Sequence, residues 1–273
     1  MKKLHHPNVM TLYGVYDDAD MDSLYLIMEY MPHGVVMDSS KSTSKTTLPE
    51  EKARAVFLDA VYGLEFLHQN RVAHRDIKPD NLLVAADGTV KICDFGCSKW
   101  YPPDDSLNVG SPGSGASKES GGKGLKGNAL ERTKTMVGTP AFCAPEDCNS
   151  IHAPKGSYES FKADIWSLGA SLFYMVYGRV PFLADSAREM FDLVCTAKLK
   201  FPDKPAVTEP CRDMLSKILV KAPNKRLTLE EILNHPWMRA GKKPAEVERR
   251  ESSNLTFSEE DVGQAILRVV QRR

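Results

Sequence analysis

The chain has 273 residues, long enough for one large domain or two modest ones with an ample core. Its 36 Lys and Arg balance 36 Asp and Glu, so no global field draws it toward nucleic acid or membrane, and no nucleic-acid partner is expected. Six scattered cysteines set out no disulfide framework, no signal peptide opens the chain, and no apolar run approaches the roughly 20 residues of a spanning helix; we expect a reduced, cytoplasmic protein whose function lies in local sites.

Taken in order, Met1-Lys2-Lys3-Leu4-His5-His6-Pro7-Asn8 reads as the end of a helix, because Pro7 disfavours helical geometry at His6 and cannot extend a helix itself. The apolar runs from Val9 to Val15 and from Leu24 to Tyr30 flank the turn-rich Asp17-Asp18-Ala19-Asp20, which suits two antiparallel strands. Ser39 to Thr47 lacks periodicity and reads as a solvated loop. Leu48-Pro49-Glu50-Glu51 then opens a helix, with Pro and acids in its first turn and Ala53, Val56, Phe57, Ala60, Val61, Leu64 and Leu67 at helical spacing. His68 continues that helix and reads as structural, as do His5 and His6, which lack partners at metal-ligand spacing.

The helix delivers the chain to His74-Arg75-Asp76-Ile77-Lys78-Pro79-Asp80-Asn81. This loop offers a base in Asp76, a phosphate-binding cation in Lys78 and a metal-binding carbonyl in Asn81. A turn at Asp87-Gly88 and the β-type run Thr89-Val90-Lys91-Ile92 lead to Asp94-Phe95-Gly96, whose aspartate is a second metal-binding group. About 50 residues separate Asp94 from Glu146, and their Gly/Ser/Pro-rich middle, residues 104–130, is expected to be disordered. From Lys162 to Gly178 the chain is apolar on nearly every face, as in a helix buried all round, with Asp164 placed to hold the loop backbone and Pro181-Phe182 closing the helix. Helices are expected around Ala184–Cys195, Pro210–Val220 and Thr228–Leu233, the last with a capping box at Thr228-Leu229-Glu230-Glu231. The compact domain is expected to end near Trp237-Met238. Beyond it, Ser258-Glu259-Glu260-Asp261 caps a short amphipathic helix ending in Arg272-Arg273, a form that is solvated or packs on the lobe, binds calmodulin, or folds back on a cleft.

The order H-R-D-x-x-x-x-N at residues 74–81, D-F-G at 94–96 and A-P-E at 144–146 resembles the eukaryotic protein kinases. That resemblance implies an α+β, protein kinase-like fold with ATP and Mg²⁺ as cofactors. The mostly helical large lobe would be complete, with only the last strands of the small lobe present. It implies a residual small lobe at 1–35, a large lobe at 36–238 and an extension at 239–273. Met28-Glu29-Tyr30-Met31 would be the hinge, with the Glu29 C=O and Met31 N–H on the adenine edge, Met28 guarding the pocket behind and Leu83 on its floor; Cys93 would border the same cavity, as an inert buried thiol. Asp76, Lys78, Asn81 and Asp94 would be the catalytic and metal-binding set. Lys78 and Thr139, in Gly138-Thr139-Pro140, resemble the serine/threonine-specific type, in which the threonine bonds the catalytic aspartate. Arg226 lies where kinases pair an arginine with Glu146, and Arg75 calls for an anionic partner, which phosphorylation near Thr135 would supply.

More narrowly, Pro32-His33-Gly34-Val35-Val36-Met37, Val137-Gly138-Thr139-Pro140-Ala141-Phe142, Phe201-Pro202-Asp203 and Thr256-Phe257-Ser258-Glu259-Glu260-Asp261-Val262 resemble the calcium/calmodulin-dependent protein kinase kinases. The resemblance implies protein substrates that are themselves kinases, phosphorylated on activation-loop threonine, and calmodulin as a partner. No Gly-rich loop, strand-three lysine or helix-C glutamate is found in these residues, so we expect an N-terminally truncated sequence whose strand pair exposes apolar surface. A non-catalytic scaffold of kinase fold is the alternative.

Overall fold

The computed structural model describes residues 4–18, 23–40, 43–102, 139–149 and 157–240. The helical end expected at the N-terminus falls partly on residues 1–3, outside this set; the described part, residues 4–8, is not helical and closes in a turn at Pro7-Asn8, where Val9 N–H donates to His6 O at 3.1 Å. Residues 104–130, Thr135 and the amphipathic stretch from Ser258 also lie outside it.

Strands β1 (Leu12–Asp18) and β2 (Ser23–Met28) form an antiparallel pair. Tyr13 and Val15 on β1 and the consecutive Tyr25, Leu26 and Ile27 on β2 are exposed, so both faces of the pair are open, while Leu12 is buried. The strand runs through Asp17 and Asp18, which pair with Leu24 and Ser23, so the turn expected there begins after Asp18. Ladder hydrogen bonds have overridden the turn preference of the two aspartates.

Helix α1 (Glu50–Gln69) starts directly after Pro49 with two acids in its first turn and buries Phe57, Leu64 and Leu67. It ends at Asn70, and Arg71 turns the chain at φ 59° into β3 (Val72–Ala73). Strands β4 (Leu82–Val84) and β5 (Val90–Ile92) form a hairpin around Gly88, at φ 85°. Strand β6 (Lys99–Trp100) returns to pair with β3. Val9 bridges Ile92 in parallel, with Met10 N–H donating to Ile92 O and Ile92 N–H to Asn8 O, each at 2.9 Å; this joins the N-terminal segment to β5.

The short helix α2 (Pro145–Asn149) precedes α3 (Ser157–Tyr177), the axis of the core, where Trp166, Leu168, Phe173 and Tyr174 are all buried. Gly178, not Pro181, ends α3: at φ 66° it adopts the left-handed geometry that closes a helix, and its N–H donates to Tyr174 O at 2.8 Å. The loop after residue 42 is tied down here, since Ser44 N–H donates to Gly178 O at 2.6 Å. Helix α4 (Ala187–Thr196) begins later than Ala184, because Ser186 caps it by accepting from Glu189 N–H. Helices α5 (Glu209–Ile218), α6 (Leu229–Asn234) and α7 (Pro236–Arg239) complete the body, and the capping box at Thr228 and Glu231 is formed.

The fold is α+β, with one large core around α1 and α3. A smaller cluster of Met10, Met31 and Cys93, joined by Leu83 and Ala85, lies between the strand pair and the β4–β5 hairpin.

Candidate active site

The site is built upward from a buried carboxylate. Asp164, on the first half of α3, is 1% exposed and satisfies its charge with three donors: Arg75 N–H at 2.7 Å, His74 N–H at 2.9 Å and His68 Nε2 at 2.9 Å. These bonds hold Arg75 in a left-handed conformation, φ 69°, that a non-glycine residue adopts only when its surroundings enforce it.

His74 is fully buried, which pushes its pKa down and keeps the ring neutral. Its Nδ1 accepts from Asp76 N–H at 3.3 Å, so the ring proton sits on Nε2 and is donated to Cys93 O at 2.8 Å. Its edge also meets the Phe95 ring, with centroids 5.2 Å apart. One side chain thereby fixes the residue before Asp94 and the residue after it. Asp94 itself lies at φ 56°, exposed, with Oδ1 accepting from Gly96 N–H at 3.1 Å.

Asp76 is the meeting point. Its Oδ1 accepts from the backbone N–H and the hydroxyl of Thr139, both at 2.9 Å, and its Oδ2 accepts from Lys78 Nζ at 2.9 Å. Lys78 Nζ also donates to Thr139 Oγ1 at 2.7 Å. Asn81 Nδ2 donates to Asp76 O at 2.7 Å and to its Oδ2 at 3.1 Å, an arrangement that commits the amide nitrogen and leaves the amide oxygen as the group to face a cation. Burial opposes ionisation of Asp76, but the lysine and threonine bonds outweigh it and hold the carboxyl below the usual carboxylate range.

Asp76, Lys78, Asn81 and Thr139 are thus in direct contact, with Asp94 tied to them through His74. Met31 and Leu83 meet in the small apolar cluster beside Cys93, whose thiol is pushed up to about 12 by burial and then by Asp94. Met28 lies at the end of β2, 44% exposed and outside that cluster. The Glu29 side chain reaches back from β2, accepting from Thr11 N–H at 2.7 Å and pairing with Lys91 Nζ at 2.8 Å. Glu146 and Arg226 form a two-pronged pair, Nη1–Oε1 2.8 Å and Nη2–Oε2 3.1 Å, which ties α2 to the segment before α6.

Several partners at the site were not singled out from the sequence. Lys162 Nζ donates to Arg226 O at 3.0 Å and Arg226 Nη1 donates to Lys162 O, so the two residues lock α3 to the segment before α6. Ser167 donates to Phe142 O at 2.8 Å. A lysine and a serine inside an otherwise apolar helical run are the trace that would have drawn attention to them.

The family model for the protein kinase domain matches residues 1–238. Among curated proteins, the chain is 38% identical over 263 residues to serine/threonine-protein kinase ssp1 of Schizosaccharomyces pombe, covering 96% of this chain and 37% of that protein. It is 36% identical over 238 residues to serine/threonine-protein kinase GRIK2 of Arabidopsis thaliana, covering 87% of this chain and 51% of the other. SNF1-activating kinase 1 of Saccharomyces cerevisiae is 37% identical over 268 residues, covering 87% of this chain and 22% of its own length. The chain belongs to the protein kinase family, and its relatives are of the serine/threonine type. It spans between about a fifth and a half of the length of these relatives. Among the described residues, no helix is long and apolar enough to cross a membrane.

Proposed function

We propose that this chain is a serine/threonine protein kinase that transfers the γ-phosphoryl group of ATP to a protein hydroxyl. The observation that carries this reading is the closed contact of Asp76 with Lys78, Thr139 and Asn81. Asp76, ionised and fixed by three neighbours, accepts a hydrogen bond from the substrate hydroxyl, orients its oxygen and takes its proton. Lys78 carries positive charge to the same point and steadies the transferring group. Thr139 fixes the rotamer of Asp76, so that the base is positioned before substrate arrives.

The donor set fits a magnesium nucleotide. One amide oxygen from Asn81 and one carboxylate from Asp94 are few ligands for a protein cage, and suit Mg²⁺, which keeps water and phosphate oxygens in its shell. Bound Mg²⁺–ATP supplies the phosphoryl group and the charge that neutralises its oxygens. The apolar surface of Met31, Leu83 and Cys93 fits a purine, with the Glu29 C=O and Met31 N–H offering its edge two complementary polar groups.

The narrower reading is an upstream kinase acting on activation-loop threonines of other kinases. Support comes from the short segments that resemble the calcium/calmodulin-dependent protein kinase kinases and from a relative whose name says it activates SNF1. Calmodulin as a partner would engage the tail from Ser258, and a phosphate at Thr135 would pair with Arg75. The test is incubation with radiolabelled ATP, Mg²⁺ and a catalytically dead kinase bearing an unmodified activation loop. We expect label on threonine, and none with the Asp76→Asn variant. Equal labelling by wild type and Asp76→Asn would overturn the assignment. A chain that binds Mg²⁺–ATP yet transfers nothing would favour the scaffold reading.

A further inference from the structure

We infer that Ser39 is a positioning residue for the metal-facing amide of Asn81, acting through a latch onto Asp80; the inference rests on the phosphoryl-transfer reading above. After β2 the chain turns and runs antiparallel to β4. Val84 N–H donates to Gly34 O at 2.9 Å, Val36 N–H donates to Leu82 O at 2.8 Å, and Val35 bridges Leu83 between them. The next rung in this direction falls on Asp80, in the single 3₁₀ turn Pro79–Asn81. There the side chain replaces the backbone: Asp80 Oδ1 accepts from Ser39 N–H at 3.1 Å, and Oδ2 accepts from the Ser39 hydroxyl. Both carboxylate oxygens are therefore engaged by one residue.

Ser39 is 8% exposed, and its own segment is firmly held. Met37 packs into the main core, and Asp38 O accepts from the Tyr174 hydroxyl of α3 at 3.2 Å. The latch thus ties the 3₁₀ turn to a fixed support. On the other side of the turn, Asn81 N–H donates to Lys78 O at 3.0 Å and Asn81 Nδ2 reaches Asp76. The turn bearing Asn81 is held from two directions, by Asp76 and by Ser39. Two charge-assisted hydrogen bonds in a largely buried setting are strong enough to limit its pivoting. Without them, the Asn81 amide oxygen would sample positions off the cation, while the apolar purine surface would be unaffected.

The test separates metal-dependent from metal-independent nucleotide binding by calorimetry on the full chain, using ATP with Mg²⁺, ATP with EDTA, and adenosine. In Ser39→Ala we expect Mg²⁺–ATP to bind about threefold to tenfold more weakly, the scale of one lost hydrogen bond, with adenosine unchanged. Ser39→Thr should restore binding. Asp80→Ala, which removes the acceptor of the backbone bond as well, should lose at least as much, and the double variant no more than Asp80→Ala alone. Asp80→Asn, which keeps an acceptor for Ser39 N–H, should lose less and serves if Ser39→Ala does not fold. Unchanged Mg²⁺–ATP affinity in Ser39→Ala, an equal loss for adenosine, or additive losses in the double variant would each overturn the inference while leaving the kinase reading intact. A wild-type chain that binds none of the three ligands would overturn the kinase reading and the inference with it.

Discussion

Thr139 ends both its backbone N–H and its hydroxyl on one oxygen of Asp76, each 2.9 Å from Oδ1, although the two residues lie 63 positions apart. The same hydroxyl accepts from Lys78 Nζ at 2.7 Å. Thr139 therefore reports on the base and the cation together. Thr139→Ala retains the backbone bond and removes both hydroxyl contacts. We expect kcat for phosphoryl transfer to fall about tenfold to a hundredfold, with the fold unchanged, and Thr139→Ser to recover most of it. Steady-state initial rates at saturating ATP are the measurement, and an unaltered kcat in Thr139→Ala would remove the hydroxyl from any such role.

The Arg226–Glu146 pair makes a separate prediction about stability. Arg226 is 2% exposed and, besides Glu146, its guanidinium donates to Val220 O at 3.2 Å through Nε. Arg226→Ala would leave Glu146 and several carbonyl oxygens facing an apolar site without their donor. The expected loss is about 3–5 kcal/mol, the range for breaking one side of a buried pair. Arg226→Lys should rescue little, because a single ammonium cannot reproduce the fork. Urea unfolding midpoints would decide this; a wild-type midpoint for Arg226→Ala would mean that the pair contributes no net stability.

What was legible in the sequence is what local chemistry controls. Pro49 with two acids marked the start of α1, and Thr228 with Glu231 marked a capping box that is formed in full. The loop around Asp76 was legible because its residues are contiguous and ordered. Elsewhere, choices depended on distant partners. The end of α3 lies at Gly178 because a left-handed residue was available before Pro181, and the loop at Ser44 packs on it. Glu29 was read for its backbone alone; its side chain pairs with Lys91, 62 positions away. His68 was read as structural, but nothing nearby in sequence announces its bond to Asp164, 96 positions on. Such pairings appear only when the helices have packed.

Gly63 tests one of those packings. It sits in the buried part of α1, where a Cβ would lie 2.5 Å from Asn8 O and 3.0 Å from the Ile92 side chain. Asn8 O is already engaged, accepting from Ile92 N–H at 2.9 Å. In an open helix, Gly→Ala would stabilise by about 1 kcal/mol. Here the backbone of a neighbouring segment occupies the space, and overpacking of this kind costs roughly 1–3 kcal/mol. We expect a net destabilisation on the order of 1 kcal/mol, seen as a lowered Tm. A raised Tm would show that the Asn8 segment can retreat at little cost.

The acid side of the stability curve should carry the mark of His6. Its ring stacks on Phe66 with centroids 4.8 Å apart, and Nδ1 accepts from Asn8 N–H at 3.1 Å. Burial first, and the charge of Lys91 second, lower its pKa from 6.5 to about 4. The unfolded chain therefore binds a proton at His6 that the folded chain refuses over that interval. Because the unfolded state binds more protons, stability must fall as pH drops from about 6.5 toward 4, and this contribution levels off below the folded value. His74, also depressed by burial, acts in the same direction. We expect denaturation midpoints to decline across this window, and His6→Gln, which keeps an acceptor for Asn8 N–H but cannot titrate, to decline less steeply. Identical slopes for wild type and His6→Gln would mean that the ring is protonated in place, and that the segment from Leu4 to Met10 opens to water as the pH falls.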